Sequence, residues 1–167
     1  MRMRHAIANN NKPSERIVVY TPEYLAKEIV DHFQPSGLCL EPCKGSGNIL
    51  KYLPEGSEWC EIEEGRDFFD YTKHVDWIIT NPPFKGVREW FKHSAELADN
   101  IVFLVLMYHI MDNNTIQYMR EKGFGLKEVL FIKTPKNAGF PGFQLGVCHW
   151  KKGYIELTKI TTIGETE

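Results

Sequence analysis

The sequence lacks the long apolar runs that a membrane helix requires, since no stretch approaches the roughly 20 apolar residues that cross a bilayer. Its basic start, Met1-Arg2-Met3-Arg4, is not followed by an apolar segment, so it does not indicate a signal peptide. The 4 cysteines form no C-x-x-C pair and show no zinc-like spacing. We therefore expect no disulfide framework, no metal site and no membrane contact, and we predict a cytoplasmic protein.

The chain also lacks a strong charge of either sign. A net charge of -2 argues against indiscriminate binding to phosphates, although a local basic face stays open.

A length of 167 residues suits one domain with a sizeable core. We predict a flexible N-terminal arm over residues 1–18, which are polar and without periodicity, and a single domain over residues 19–167.

What the chain does have is an alternation of apolar runs and amphipathic segments. This alternation predicts an α/β fold with a mostly parallel twisted sheet, one antiparallel strand near the C-terminus, and helices on both faces. Thr21 is a plausible N-cap and Pro22 a plausible first residue of the first helix. The predicted helices cover residues 22–33, 87–98 and 113–120, with a further helix starting near residue 49. The predicted strands cover residues 38–40, 58–62, 76–80, 101–107, 126–134 and 145–150, with an edge strand within 154–163.

Polar residues and glycines follow several of these strands. Glu41-Pro42-Cys43-Lys44-Gly45-Ser46-Gly47 joins the first strand to a helix start, which is the arrangement of nucleotide-binding sheets. Alone, its Gly-x-Gly leaves a tight turn and a cofactor loop equally open. Glu61, at the end of the second strand, is either a ribose-binding acid or a solvated surface acid. Because ligands bind beyond the carboxyl ends of such strands, Glu41, Gly45, Glu61 and Asn81 together indicate a site.

Asn81-Pro82-Pro83-Phe84 ends the strand at residues 76–80 abruptly, because neither proline can donate a ladder hydrogen bond. The result is a rigid corner with an amide side chain, a carbonyl and an aromatic face. Such a corner suits the binding of a planar group that carries an NH2. A plain strand terminator with a packed phenylalanine is the alternative.

These motifs resemble those of the S-adenosylmethionine-dependent amino-methyltransferases, and above all the small phage-type N6-adenine DNA methyltransferases of the gamma order. The resemblance covers roughly residues 19–152 and implies a Rossmann-like methyltransferase fold. It rests on motifs in the gamma order: Thr21-Pro22, the glycine loop from Glu41 to Gly47, Asp67-Phe68-Phe69 and Asn81-Pro82-Pro83-Phe84.

The resemblance implies a role for each matching residue. Tyr20, Thr21, Glu41, Pro42 and the backbone from Gly45 to Gly47 would surround the methionine part of S-adenosylmethionine. Glu61 would bind the ribose hydroxyls, while Asp67 and Phe68 would frame the cofactor adenine. Asn81 and the Pro82 carbonyl, held by Pro83, would accept hydrogen bonds from the target amine. Phe84 would stack on the target ring, and either Phe140 or Phe143 would cover its other face.

The sequence departs from the family in two places. Only residues 62–66 separate Glu61 from Asp67, so the usual intervening helix and strand look deleted. No segment after the last strand resembles a target-recognition domain, and readout of a base sequence needs side chains at base edges. We therefore expect low sequence specificity, or specificity supplied by a partner or a second copy.

The predicted function is transfer of a methyl group to the N6 amine of adenine in DNA. RNA adenine and a protein glutamine amide are open alternatives, because a glutamine amide presents a similar NH2. A second alternative is a non-catalytic module that binds the cofactor for assembly or regulation.

Overall fold

The structure is a computed structural model that describes residues 20–133 and 144–163. Its main feature is a single sheet of seven strands. In chain order these are β1 (Cys39–Glu41), β2 (Glu58–Trp59), β3 (Val75–Thr80), β4 (Ala98–Leu106), β5 (Phe124–Ile132), β6 (Leu145–Lys152) and β7 (Lys159–Ile163). The predicted arm, residues 1–18, lies outside the described residues.

The strands lie in the order β2-β1-β3-β4-β6-β5-β7. β6 is antiparallel to both of its neighbours, β4 and β5, and every other neighbouring pair is parallel. The predicted fold class, mostly parallel with one antiparallel strand near the C-terminus, is confirmed. Because β1, β2, β3 and β4 run in one direction, their carboxyl ends meet at one edge of the sheet.

Helices cover both faces of the sheet. They are α1 (Glu23–Phe33), α2 (Val87–Leu97), α3 (Met107–Ile110) and α4 (Asn113–Glu121). Side chains alternate along β4, so Val102 and Leu104 join the buried cluster under α1, whereas Ile101 and Phe103 join the cluster under α2 and α4. Each such fully buried large side chain contributes roughly 1.5–3 kcal/mol. This two-faced burial explains why β4 is a continuous apolar run.

The connection between β2 and β3 is short, as the sequence predicts. It contains two 3₁₀ turns, Ile62–Glu64 and Phe68–Asp70, and one isolated bridge between Glu61 and Arg66. The intervening helix and strand are absent from this described segment, and β2 is therefore an edge of the sheet. The opposite edge is β7, which pairs with β5 in parallel and confirms the predicted edge strand.

Two local predictions are wrong. The helix expected after the glycine loop is only one 3₁₀ turn, Leu50–Tyr52. Leu53 is already extended (φ -69, ψ 158), because the proline that follows it disfavours helical backbone at this residue. The N-cap of α1 is Pro22, not Thr21, and α1 begins at Glu23. Pro22 has the extended backbone of an N-cap (φ -56, ψ 144), and the Thr21 carbonyl before it accepts a hydrogen bond from Asn48 (2.8 Å).

None of the helices in residues 20–133 and 144–163 is long and apolar enough to cross a membrane.

Candidate active site

Three predicted site residues lie at the edge where the parallel strands end. Glu41 is the last residue of β1, Glu61 follows β2 closely, and Asn81 comes directly after β3. β1 pairs with both β2 and β3, so the glycine loop that follows β1 lies between the other two segments. The sheet order thus brings together residues that are far apart in the sequence.

The glycine loop is held against the segment that follows β2. The Cys60 N–H donates to the Glu41 carbonyl (2.9 Å), and the Lys44 N–H donates to the Cys60 carbonyl (2.9 Å). Gly45 has a φ of +50, and a Cβ at this position would lie 3.0 Å from the Tyr20 ring. Gly45 is therefore required both for its backbone conformation and for the close approach of Tyr20.

The other members of the predicted methionine subsite surround this loop. Thr21 and Pro42 are buried, whereas Tyr20 is exposed on the outer side. Gly47 has a φ of +79, and its N–H donates to the Lys44 carbonyl (2.8 Å) to close the turn. The predicted cofactor residues of this subsite therefore lie around one turn of backbone.

The Glu61 carboxylate already binds the glycine loop. Its Oε2 accepts a hydrogen bond from the Gly45 N–H (2.7 Å), and its Oε1 accepts a longer one from the Glu63 N–H (3.3 Å). Each carboxylate oxygen has further acceptor capacity, so these bonds orient the group without saturating it. Glu61 can still accept hydrogen bonds from hydroxyl groups.

The Glu41 carboxyl group is the most deeply buried acid of the site. Glu41 is 2% exposed, and its Oε2 has no hydrogen-bond partner among the described residues. Burial raises the pKa of Glu41 to about 8, although a hydrogen bond from the Leu50 backbone and the charge of Lys44 oppose that rise. Because buried polar atoms are normally hydrogen-bonded, this oxygen is a candidate acceptor for a donor group of a ligand.

The one cysteine of the glycine loop is unsuited to be a nucleophile. Burial, and then the nearby Glu61 and Glu41 charges, raise the pKa of Cys43 to about 12. With this raised pKa, Cys43 stays a thiol at neutral pH. Because the thiolate is the reactive form of cysteine, Cys43 is unreactive there.

The loop lysine, Lys44, contacts Glu64 and Trp59. Its Nζ forms an ion pair with Glu64 (2.5 Å) and lies 4.0 Å from the centroid of the Trp59 ring. The Arg66 guanidinium lies at the same 4.0 Å from that ring. Trp59 thus contacts two cationic side chains, one of which is paired with Glu64.

The Asp67-Phe68-Phe69 segment differs from the expectation in its exposure. Phe68 is 2% exposed and stacks on Trp90 (4.9 Å between centroids) in the core under α2. Phe69 is 46% exposed, and its N–H donates to Asp67 (2.9 Å). Phe69 is therefore the aromatic ring that this segment presents to solvent, and sequence reasoning did not assign it a role. Two consecutive phenylalanines are a signal that one ring faces outward.

The Asn81-Pro82-Pro83-Phe84 segment forms the end of β3. Pro82 is buried, Pro83 is exposed, and Asn81 and Phe84 are half-buried. Phe84 packs against the core cluster under α1, which holds its ring at the edge of the sheet. The structure thus presents an amide side chain and an aromatic ring at the position where β3 adjoins the glycine loop of β1.

An ion pair braces the segment that follows. Arg88, in the first turn of α2, donates to both carboxylate oxygens of Asp112 (3.3 and 3.1 Å). Asp112 also caps α4 by accepting from the Thr115 N–H (3.0 Å) and hydroxyl (2.8 Å). The start of α2 is thereby joined to α4. The sequence does not indicate this pairing, because charged surface residues at this spacing are common.

Two further predictions concern aromatic rings outside this part of the chain. Phe140 and Phe143, proposed to cover the target ring, lie outside the described residues. In the described residues we find no group of three metal-binding side chains.

The chain is similar in structure to several known proteins. It matches no family model and no curated protein. Among solved structures it is similar to a provisionally named RNA methyltransferase from Pyrococcus horikoshii, with a TM-score of 0.65, 15% identity, and coverage of 82% of this chain and 87% of that one. It is also similar to a modification subunit of a provisionally named type I restriction enzyme from Vibrio vulnificus (TM-score 0.66, 14% identity, 90% and 48% coverage). A third match is a provisionally named class I S-adenosylmethionine-dependent methyltransferase from Listeria monocytogenes (TM-score 0.57, 10% identity, 84% and 63% coverage).

The sheet order and these matches establish a Rossmann-like methyltransferase fold. The chain spans about half the length of the restriction subunit that it matches. At such low identity the likeness concerns the fold, and the activity has to be argued from the site.

Proposed function

We propose that this protein transfers a methyl group from S-adenosylmethionine to the N6 amine of adenine in DNA. The observation that carries the proposal is the pairing of β1 with β3, with Leu40 opposite Ile78. This pairing places the glycine loop after β1 beside Asn81-Pro82-Pro83-Phe84 after β3. A donor site and a site for an NH2 group would then be neighbours.

The residues around the glycine loop fit the cofactor. A buried carboxyl oxygen of Glu41 without a partner among the described residues fits the ammonium of the methionine part. Thr21, which is buried and joined to Asn48 through its carbonyl, would lie against the carboxylate. Glu61, oriented by the Gly45 N–H, fits the ribose hydroxyls. Bound S-adenosylmethionine supplies an electrophilic methyl group on a sulfonium.

The adenine of the cofactor would lie near Asp67 and Phe68. Because Phe68 is buried, we propose that it supports this subsite from the core while the exposed Phe69 ring offers the contact surface. Asp67 would then hold the turn through its bond to the Phe69 N–H.

Asn81 and the Pro82 carbonyl would prepare the target amine. The lone pair of an exocyclic amine is delocalised into the ring, which makes the amine a poor nucleophile. Two acceptors that bind its two N–H groups would draw them out of the ring plane and direct the lone pair at the methyl group. As the nitrogen–methyl bond formed, the methyl–sulfur bond would break with its electron pair on sulfur, S-adenosylhomocysteine would leave, and the surplus N–H proton would pass to water. The rate gain would come from orientation and fixed dipoles, so no separate strong base is needed.

The target base also has to leave its stack, which costs a few kcal/mol in a duplex. Stacking on Phe84, and on Phe140 or Phe143, would recover roughly 1–3 kcal/mol for each base contact. A phenylalanine that is already held against the core loses little freedom when it stacks.

RNA adenine and a glutamine amide are the alternative substrates. The similarity to the structure of a provisionally named RNA methyltransferase favours RNA among these alternatives. The similarity to a modification subunit of a restriction enzyme supports a role for a partner or a second copy in target recognition. The non-catalytic alternative leaves Asn81-Pro82-Pro83-Phe84 without a role.

The test is a labelling experiment with the Asn81→Ala variant. The wild type, Asn81→Ala and the surface control Asn114→Ala are incubated with methyl-labelled S-adenosylmethionine and pooled DNA, RNA or protein. We expect label in N6-methyldeoxyadenosine with the wild type and with Asn114→Ala. We expect a loss on the order of 100-fold with Asn81→Ala, similar to the loss of one preorganised polar contact in other enzymes.

The products decide between the alternatives. Label found only in RNA or only in glutamine would change the assigned substrate but not the assigned methyl-transfer chemistry. Cofactor binding without any labelled product, in the presence of candidate partners, would favour the binding module. Full activity of Asn81→Ala would overturn the assigned role of Asn81.

A further inference from the structure

The charge state of the buried acid in the cofactor site bears on how the cofactor binds, which rests on the proposed function. Glu41 is enclosed at the end of β1, with Oε2 unpartnered among the described residues. A charged carboxylate in such a place loses its hydration, which costs several kcal/mol unless a cation compensates it. The neutral carboxylic acid avoids most of this cost.

The charged groups that face Glu41 do not supply enough compensation. The Lys44 ammonium lowers the pKa of Glu41, but it is paired with Glu64 and lies over Trp59. The Glu61 carboxylate raises the pKa of Glu41. Cys43 is a neutral thiol at the same pH. Burial is the largest influence, and the pKa of Glu41 rises to about 8.

We propose that Glu41 carries a proton in the free protein and loses it when the ammonium of the cofactor's methionine part binds, so that cofactor binding releases a proton. The O–H bond of the carboxylic acid breaks, its electron pair stays on the carboxylate, and the proton passes to water. The ligand ammonium then becomes the missing partner of the carboxylate. Glu61 accepts the Gly45 N–H and takes no part in this proton release.

This linkage makes affinity depend on pH. When the pH is below the Glu41 pKa of about 8, binding has to displace a proton from Glu41. The affinity therefore rises by up to tenfold for each unit by which the pH increases. An α-amino group titrates near pH 8, so the clean window is pH 6.0 to about 7.0, where the ligand amine stays protonated. The Glu41 contribution ends above about pH 8.

The first experiment is calorimetry of the wild type with S-adenosylhomocysteine, which has the ammonium but no transferable methyl group. Titrations at pH 6.5 in two buffers with different ionisation enthalpies measure the protons released. We expect about one proton per ligand, and an affinity that rises close to tenfold between pH 6.0 and 7.0. As a ligand control, 5′-methylthioadenosine lacks the amino acid part and should bind more weakly without releasing a proton.

Two variants locate the proton. In Glu41→Gln, we expect proton release to fall to zero and the affinity for S-adenosylhomocysteine to stay constant between pH 6.0 and 7.0. In Glu61→Gln, affinity falls but a proton is still released. If Glu41→Gln did not fold, the comparison of the two ligands on the wild type would still decide the matter.

The outcomes separate this inference from the proposed function. S-Adenosylhomocysteine that binds the wild type without proton release would overturn the role of Glu41 and leave the proposed cofactor intact. Equal release with 5′-methylthioadenosine would also overturn it, because no ammonium is then involved. If neither nucleoside bound, the proposed cofactor would fail, and this inference with it.

Discussion

At the scale of single residues, the Glu61 carboxylate links the backbone of the glycine loop to the proposed ribose site. Its Oε2 holds the Gly45 N–H at 2.7 Å, so the loop and the acid position each other. An acid that is already oriented loses little freedom when hydroxyl groups bind to it. Glu61 should therefore contribute directly to cofactor affinity.

We predict that Glu61→Ala weakens binding of S-adenosylhomocysteine by roughly 10- to 100-fold, because a hydrogen bond to a charged group contributes about 1.5–3 kcal/mol. Calorimetry measures the change. Glu63→Ala is the matched control, since Glu63 is an exposed acid that contributes only its backbone N–H. Unchanged affinity in Glu61→Ala would remove Glu61 from the site.

At the scale of elements, the edge strand β7 depends on a close approach between β5 and the chain after β6. A Cβ on Gly125 would lie 2.0 Å from the Tyr154 carbonyl oxygen. The Thr158 hydroxyl donates to the Leu126 carbonyl (2.8 Å) in the same region. Gly125 therefore lets residues 154–158 lie along β5 before β7 begins.

We predict that Gly125→Ala lowers the free energy of unfolding by roughly 1–3 kcal/mol, because backbone atoms rather than a flexible side chain have to move. Hydrogen exchange should show the largest loss of protection in β7. Urea denaturation measures the change in the free energy of unfolding, and Lys127→Ala on the same strand is the control. Unchanged protection of β7 would contradict the assigned role of Gly125.

At the scale of the whole molecule, two buried titratable groups on different parts of the sheet oppose each other in the pH dependence of stability. Burial raises the pKa of Glu41 to about 8, above its unfolded value of 4.5. His149 is 1% exposed and its Nε2 bonds Asn100 (3.1 Å). Burial, and then Lys127, lower the pKa of His149 from 6.5 to about 4.

The signs of the two effects follow from proton binding. Between pH 4.5 and 8 the folded state keeps the Glu41 proton that the unfolded state has lost, so this group makes stability fall as pH rises. Between pH 4 and 6.5 the unfolded state binds the proton that folded His149 excludes, so this group makes stability rise with pH. The two slopes oppose each other up to about pH 6.5, and above it Glu41 acts alone.

We predict that stability of the free protein declines from pH 6.5 to 8, with a contribution from Glu41 of up to roughly 1.4 kcal/mol per pH unit. Urea denaturation across this range measures it. Glu41→Gln should flatten the decline, and saturating S-adenosylhomocysteine should do the same in the wild type. An equal decline in Glu41→Gln would assign it to another group.

Much of the fold was predictable because its signals are local. The continuous apolar run of β4 indicated a strand buried on both faces, and the prolines after β3 indicated an abrupt end. The end of α1 and the N-cap of α4 at Asp112 also follow from nearby residues. The positions of Glu41, Glu61 and Asn81 at strand ends made a common site predictable, because parallel strands end at one edge.

The remaining features depend on distant contacts. Sequence reasoning placed an N-cap at Thr21, but the Thr21 carbonyl binds Asn48, and a helix expected after the glycine loop stops before Pro54. Nothing in Asp67-Phe68-Phe69 indicates which ring is buried, because that choice depends on Trp90 from α2.

The sequence by itself determined the class of sheet, the order of its motifs and the rigid corner at Asn81-Pro82-Pro83-Phe84, since periodicity, prolines and glycines act on neighbouring backbone. Only the tertiary structure decided that Lys44 pairs with Glu64, that Gly45 holds Glu61, and that Glu41 is left buried with an unpartnered oxygen. The charge of a site depends on desolvation and on partners from other strands. For that reason the proton on Glu41 follows from the folded chain and not from its motif.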